Sequence, residues 1–512
     1  MNLELLRQVC VTPGAPGFED KIRDFIIQEV APLVDAVRVD NMGSVIAIVE
    51  GKNTEKTMMA AAHMDEIGFM VRHIDDKGFI KFLPLGGFDA KTLTAQRVIV
   101  HGKKDLIGVM GVKPIHVMSP AERTKLPEVT DFFIDLGMSK EEVEKYVSVG
   151  DSVTRERDLV EMGDCVNVKS LDNRAGCYVL IEALRAIKAS RKKPSCNFVA
   201  AFTVQEEVGL RGAQAGTLDI QPDFSIALDV TIACDIPGTP AHDQVSHLGA
   251  GAAIKLYDGS VIADRRMVKF MKAMADANKI KWQTEMLPAG GTDAGAMQKF
   301  VPGGSIAGAI SVPTRNVHQV IEMAHKDDLD ASVALLTACA MNVDKWDWSW
   351  NSVNECPAEK PAKAPKTATQ PRQSRCQEEK GQITGLAIHS SLPGRPHRKR
   401  RRPACFQPPS NVPANSGHRP LPFGQAYRRF LRHPPEAFSD GPAIKKSSGI
   451  SQCRRRDNPE KESYLAAGAD ASFWTGAGAG TASTSTSSST STSSSGPVAP
   501  VCFMASFRAW LP

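Results

Sequence analysis

The sequence predicts an α/β protein with a central mixed sheet flanked by helices, a β-rich insertion in its first half and a long disordered C-terminal tail. From Leu171 onwards, apolar strand-like runs alternate with helical stretches, the pattern of a sheet covered on both faces. Between about Asp75 and Val166 that pattern gives way to short β-like pieces set apart by Gly, Lys and Asp turns. After Trp350 periodicity disappears, in a stretch rich in Pro, Arg, Ser, Thr and Gly.

The elements follow in chain order. Asn2 is placed to cap a short first helix, which the turn-rich residues 12–17 interrupt. Helical spacing resumes over 18–33, with Ile22, Phe25, Ile26 and Val30 on one face. Strands are expected at 36–39, 44–49 and 58–62. In the insertion, 79–82, 97–101 and 106–111 read as strands and 139–146 as a polar helix. The second half gives a helix at 171–189, strands at 198–204 and 224–228, a helix at 268–277, a strand at 305–311 and a closing helix at 327–342.

Composition sets bounds on function. A hydrophobic content of 42% with 23% charged residues is ordinary for a globular protein, and no run of about 18 apolar residues argues for a membrane span. The first ten residues lack the unbroken apolar core of a signal peptide, and the 11 cysteines show no paired spacing. Buried thiols and a cytoplasmic location are therefore expected. The net charge of +5 hides an asymmetry: residues 351–512 carry 23 Lys+Arg against 10 Asp+Glu, a net +13, which leaves −8 for residues 1–350.

Five short segments have one feature in common. In 58–65 (MMAAAHMD), 202–207 (FTVQEE), 226–229 (IALD) and 312–318 (VPTRNVH), an apolar run delivers a His, Asp or Glu at or soon after its C-terminal end, and in 170–173 (SLDN) the Asp precedes a helix. In open α/β sheets strand C-termini line the ligand crevice, so these side chains can converge. They supply two imidazoles and several carboxylates with no cysteine, a set suited to Zn²⁺, Co²⁺ or Mn²⁺. Two such ions can polarise a carbonyl and activate a water, and a further carboxylate is then needed to take the proton. The adjacent Glu206 and Glu207 offer one residue for each task.

Each segment alone has a plainer reading. His63 in an apolar run can be a hydrogen-bonded core histidine, Asp229 a turn residue, and Glu206-Glu207 a solvated helix start. His242 and His247 read as loop residues, and His325 as the start of the last helix. The Gly290–Gly295 stretch (GGTDAG) fits equally a capped strand-to-helix turn and a loop beside substrate.

The order His-x-Asp, Asp-Asn, Glu-Glu, Asp, His resembles the co-catalytic metallopeptidase clan. AAHMDEIGFMV (61–71), KSLDNRAGCYVL (169–180), TVQEEVGLRGA (203–213), ALDV (227–230), GGTDAGAM (290–297) and VPTRNVHQVIE (312–322) narrow the resemblance to the M42 family of glutamyl and tetrahedral aminopeptidases, over about residues 1–345. The resemblance implies an aminopeptidase with two divalent ions per subunit, zinc or cobalt with manganese also compatible. Asp172 would bridge them, His63 and Asp229 would complete one site, and Glu207 and His318 the other. Glu206 would be the general base, and Asp65 would orient a ligand without binding metal. The division implied is a discontinuous metallopeptidase domain (1–72 and 167–346), an inserted dimerisation domain (73–166) and the tail (347–512). Peptide substrates and a homo-oligomer, commonly a dodecamer, are implied as partners. Asn316 and Gln319 depart from the family pattern beside His318.

Two other functions fit parts of the sequence: a deacylase or amidohydrolase of the same clan, and a non-catalytic protein binding acidic partners through the tail. The tail's basic residues 398–402 (RKRRR) can hold phosphates non-specifically, but absent periodicity and scattered Cys and Trp argue against a nucleic-acid partner. They fit sequence read past a lost stop or in a shifted frame better than a selected extension.

Overall fold

The computed structural model describes residues 1–353. The basic cluster at 398–402, the Ser/Thr tract at 481–495 and the rest of the expected disordered tail lie outside the described residues.

The first helix, Leu3–Val11, starts where Asn2 accepts a hydrogen bond from the Leu5 N–H at 3.1 Å, and it buries Leu5, Leu6, Val9 and Cys10. Helix Asp20–Val30 buries Ile22, Ile26 and Val30, one residue per turn of a single face.

At the centre is an eleven-stranded mixed sheet. Its middle is four parallel strands in the order Cys196–Thr203, Asn53–His63, Phe224–Ile232, Ile306–Arg315. Antiparallel strands continue it on either side, with Val45–Val49 and Ala36–Val39 at one edge and Glu322–His325, Cys165–Val168 and Val160–Met162 at the other. The parallel strands, Asn53–His63 from Met58 onwards, are buried on both faces, which is why they read as continuous apolar runs. Alternate residues divide between two cores. Met58, Ala60 and Ala62 pack with the helices Leu171–Ser190, Arg265–Ala277 and Lys326–Ala340. Met59 and Ala61 pack on the other side with Ala294 and Met297 of helix Asp293–Lys299.

Between Gly68 and Arg155 the chain forms a closed six-stranded barrel, in the order Gly68–Ile74, Ile80–Leu85, Phe133–Asp135, Asp105–Gly111, Arg97–His101, Ser152–Arg155. Its interior is filled by Phe69, Val71, Ile80, Phe82, Val98, Val100, Ile134 and Val153, with Phe69 stacked on Phe88 at 4.4 Å.

The structure moves some sequence-drawn boundaries. The barrel's first strand begins at Gly68, ahead of the expected 73. Val160–Met162, expected inside the insertion, and Cys165–Val168, which the expected boundary at 166 divides, both pair into the large sheet. Short strands between turns look alike at a sheet edge and in a barrel, so texture alone could not separate them. Strands Ala252–Tyr257 and Trp282–Met286 and helix Arg211–Ile220 were not read from the sequence.

The body also runs past 346. The Trp348 ring lies 4.7 Å from Phe224 and 5.2 Å from Phe270, and its indole N–H donates to the Val343 carbonyl at 2.7 Å. The first residues assigned to the tail therefore cover apolar surface of helix Arg265–Ala277 and its neighbours. Among the described residues the cysteines are free, with Cys10, Cys177, Cys196 and Cys339 buried, and no helix is long and apolar enough to cross a membrane.

Candidate active site

The parallel register brings the sequence-flagged residues to one end of the sheet. Thr203 stands opposite His63 and Ala61 opposite Ala227, so His63 and Asp229 emerge from adjacent strands while the chain beyond Thr203 carries Glu206 and Glu207. Asp172 lies at the start of helix Leu171–Ser190, where it and Asn173 leave helical geometry. His318 follows the strand Ile306–Arg315.

The two oxygens of Asp172 are divided between two imidazoles. Oδ1 is 3.3 Å from His63 Nε2 and Oδ2 is 3.3 Å from His318 Nε2. Asp229 Oδ1 lies 3.8 Å from His63 Nε2, and Glu207 Oε2 lies 3.5 Å from His318 Nε2. Glu206 Oε2 is 3.9 Å from His63 Nε2, so distance alone does not distinguish it from Asp229. The donor atoms of His63, Glu206 and Asp229 all lie within 4.8 Å of one another, and so do those of His63, Asp172 and Glu207. His63 Nδ1 is 3.2 Å from the Asp65 carbonyl oxygen, an acceptor only, which turns Nε2 toward the carboxylates.

The electrostatics of this cluster call for cations. Burial pushes the Glu206 carboxyl well above the usual carboxylate range against the pull of His63, and burial raises Asp229 to about 7. Burial would also raise Asp172, but its hydrogen bonds to His318 and His63 hold it low. Burial works to lower the two imidazoles, yet the surrounding carboxylates, Glu206 for His63 and Glu207 for His318, raise both well above the ordinary histidine value. Four carboxylates thus lie close together around two imidazoles. Glu207 Oε1 is buried without a hydrogen-bond partner among the described residues. The residues present fit divalent ions, since all the ligand atoms are imidazole nitrogens or carboxylate oxygens.

Asp65 lies behind the cluster, its Oδ1 3.5 Å from His63 Nδ1. Its Oδ1 accepts from the Glu206 N–H at 3.0 Å and its Oδ2 from the Glu207 N–H at 3.1 Å, fixing the turn that bears both. Gln205, at φ +55, opens this turn, and its N–H donates to the buried Glu19 at 3.1 Å. The approach to Asp172 is braced by Lys169, which donates to both oxygens of the buried Glu66 at 2.6 Å, and by Ser170, which donates to the same carboxylate.

The profile described as M42 glutamyl aminopeptidase matches residues 43–335, more than half of the chain. The chain belongs to the M42 family. It is accordingly an aminopeptidase, a hydrolase of peptide bonds. It is 40% identical over 334 residues to a protein of Acetivibrio thermocellus that bears a provisional aminopeptidase name, covering 65% of this chain and 96% of that one. It is 31% identical to a lysyl aminopeptidase of Pyrococcus furiosus over 68% of this chain and 99% of the relative. Among solved structures it is similar to a Pyrococcus horikoshii TET1 peptidase described as assembling into a tetrahedron or a large octahedral shell, with a TM-score of 0.60, 33% identity and coverage of 66% and 99%.

The remaining sequence candidates in this M42 aminopeptidase are not part of the cluster. His247 Nε2 pairs with Gln244 at 2.8 Å on an exposed loop, His242 lies beside Asp243, and the His325 side chain caps helix Lys326–Ala340. Asp293 of the GGTDAG stretch is buried, accepts a hydrogen bond from the Thr203 hydroxyl, and is pushed up to about 6 by burial. Thr292 makes no capping hydrogen bond there. Arg315 is held by both oxygens of Asp235 at 2.7 Å, and Lys281 donates to the Gly249 carbonyl. Arg211 makes one long hydrogen bond, 3.3 Å, to Gln205.

Sequence reasoning missed Glu19, Glu66, Arg155 and Glu322. All four act on backbone or on other buried charges, and none belongs to a ligand pattern. Two of them carried a signal: Glu66 lies in the motif 61–71, three residues after His63, and Glu322 ends the last matched motif, four residues after His318.

Proposed function

We propose that this enzyme removes single residues from peptide N-termini at a centre of two divalent ions, zinc or cobalt, with manganese also compatible. The observation that carries the reading is Asp172 with one oxygen toward each imidazole, the arrangement a bridging carboxylate needs. His63 and Asp229 would hold one ion and Glu207 and His318 the other. Bound ions supply Lewis acidity, polarising the substrate carbonyl and making the attacking water more acidic. Glu206 takes a proton from that water on its carboxylate and returns it to the leaving amine. Burial suits it to the task, because an ordinary exposed carboxylate is too weak a base to hold the proton between those steps. Asp65 keeps Glu206 and Glu207 in register with His63 through the two backbone N–H groups it accepts.

The barrel, with exposed apolar residues on its outer face, is the proposed dimerisation domain, and a closed shell such as a dodecamer would restrict substrates to short or unfolded peptides. The favoured N-terminal residue does not follow from family membership, since a glutamyl family description and a lysyl relative imply opposite charges.

The test is hydrolysis of a panel of aminoacyl-nitroanilides, free and N-acetylated, with metal content measured on the same sample. Activity on free-amine substrates, abolished by chelation and restored by Co²⁺ or Zn²⁺, is expected. Faster turnover of the N-acetylated series would overturn the aminopeptidase assignment of the site.

A further inference from the structure

We infer that Glu322 is a positioning residue that, with Arg155, fixes the backbone of His318 and Asp172 and so sets the affinity of the ion these two ligands share. The inference rests on the dinuclear reading above.

Glu322 is buried in the edge strand Glu322–His325, and its carboxylate serves two ligand arms that are far apart in sequence. Oε1 accepts from the His318 N–H at 2.8 Å, and Oε2 accepts from the Asp172 N–H at 3.0 Å. From the other side, Arg155 Nη1 donates to the His318 carbonyl at 3.1 Å. Arg155 is itself buried, in the last strand of the barrel, with its guanidinium 5.7 Å from the Phe88 ring centre. The peptide groups on both sides of His318 Cα are therefore held by the side chains of Glu322 and Arg155.

That matters because His318 adopts φ +66, a left-handed conformation that is strained for a non-glycine residue and persists only where surroundings impose it. Released from its two holders, the residue relaxes toward negative φ, and Nε2 swings away from Asp172 and Glu207. Glu322 is thus the counterpart of Asp65. Asp65 ties together the N–H groups of Glu206 and Glu207, and Glu322 ties together those of His318 and Asp172. Each carboxylate needs both oxygens as acceptors, which glutamine cannot supply, since one of its amide positions is a donor. Groups that hold ligands in this way typically change metal affinity by about 10–100-fold.

The experiment is a titration of metal-stripped full-length protein with Co²⁺, followed by visible absorption and by metal analysis, on wild type, Glu322→Gln, Arg155→Met and His318→Ala. Wild type is expected to take up two ions. Arg155→Met should weaken one ion about tenfold or more and leave the other within about threefold; Glu322→Gln should weaken that same ion most and the other, which also shares Asp172, less, and both variants should alter the absorption band of the more weakened ion. Glu322→Gln added to His318→Ala should weaken binding less than it does in wild type. Because Glu322→Gln preserves shape, its apo form should melt as a single transition like apo wild type. A variant with the Co²⁺ uptake and spectrum of wild type would overturn the inference, as would equal weakening of both ions or full additivity with His318→Ala. Absence of Co²⁺ uptake by wild type would instead overturn the dinuclear reading beneath it.

Discussion

The parallel sheet and the barrel use β-structure in opposite ways. The second half of Asn53–His63, from Met58, and most of Phe224–Ile232 are buried on both faces and carry the proposed ligands His63 and Asp229. The barrel strand Asp105–Gly111 alternates instead, turning Met110 inward and leaving Ile107 and Val109 exposed at 64% and 49%. A strand covered on both sides has only its ends free for chemistry, whereas a strand covered on one side has a whole face to offer a partner. The lesson is that the sheet should answer to changes in ligands and their supports, and the barrel to changes on its outer surface.

The largest effect separates base from ligand within the sheet. Glu206→Gln should lower kcat by about 10²–10⁴-fold, the range for loss of a general base, while two ions per subunit remain by metal analysis. Loss of an ion together with the activity would make Glu206 a ligand, a reading its 3.9 Å approach to His63 leaves open geometrically.

A middle-sized effect concerns the support of the Glu206 turn. Burial and the nearby Asp65 raise Glu19 from 4.5 to about 7. The folded chain then keeps a proton that the unfolded chain releases near 4.5, so this contribution to stability is full below that pH and is lost as pH rises through about 7. Glu19→Gln should flatten that decline by on the order of 2 kcal/mol, at ~1.4 kcal/mol per pKa unit. Urea midpoints of chelator-treated protein at pH 5 and pH 8 measure it, and an unchanged difference between the two pH values contradicts it.

The smallest effect on the protomer is expected on the barrel. Ile107→Asp should alter protomer stability by no more than about 0.5 kcal/mol, as surface changes usually do, while reducing assembly size in sedimentation. Turnover of a single aminoacyl-nitroanilide per subunit should stay within about threefold. Assembly unchanged by this charge would place the subunit interface elsewhere.

What could be read from the sequence follows the same division. Ala36–Val39 and Arg97–His101 fall where periodicity placed them, and helix Leu171–Ser190 extends one residue further. All five proposed ligands and Glu206 announced themselves as polar residues closing apolar runs or opening a helix. Glu19 and Glu322 did not, because they bind N–H groups, and any N–H group looks the same in a sequence. Arg155 was harder still. An arginine in a β-rich stretch reads as solvent-exposed, and its burial depends on a loop more than 150 residues later in the chain. The end of the body was misjudged for a related reason. Trp348 serves as cover for Phe224 and Phe270, a task visible only once those residues are side by side.

The barrel's first and last strands lie side by side, with Phe69 paired to Val153 and Met70 to Ser152. The chain therefore enters and leaves the barrel at neighbouring points, and it reaches Asp172 from there through the edge strands Val160–Met162 and Cys165–Val168. Once the barrel has folded it acts as a short, stiff tether in place of a loop of more than a hundred residues. The entropy of bringing His63 and Asp172 together is then largely met during barrel formation, before the ligands themselves meet. A contact that looks remote along the chain becomes kinetically local, and folding of the barrel is the step that makes it so.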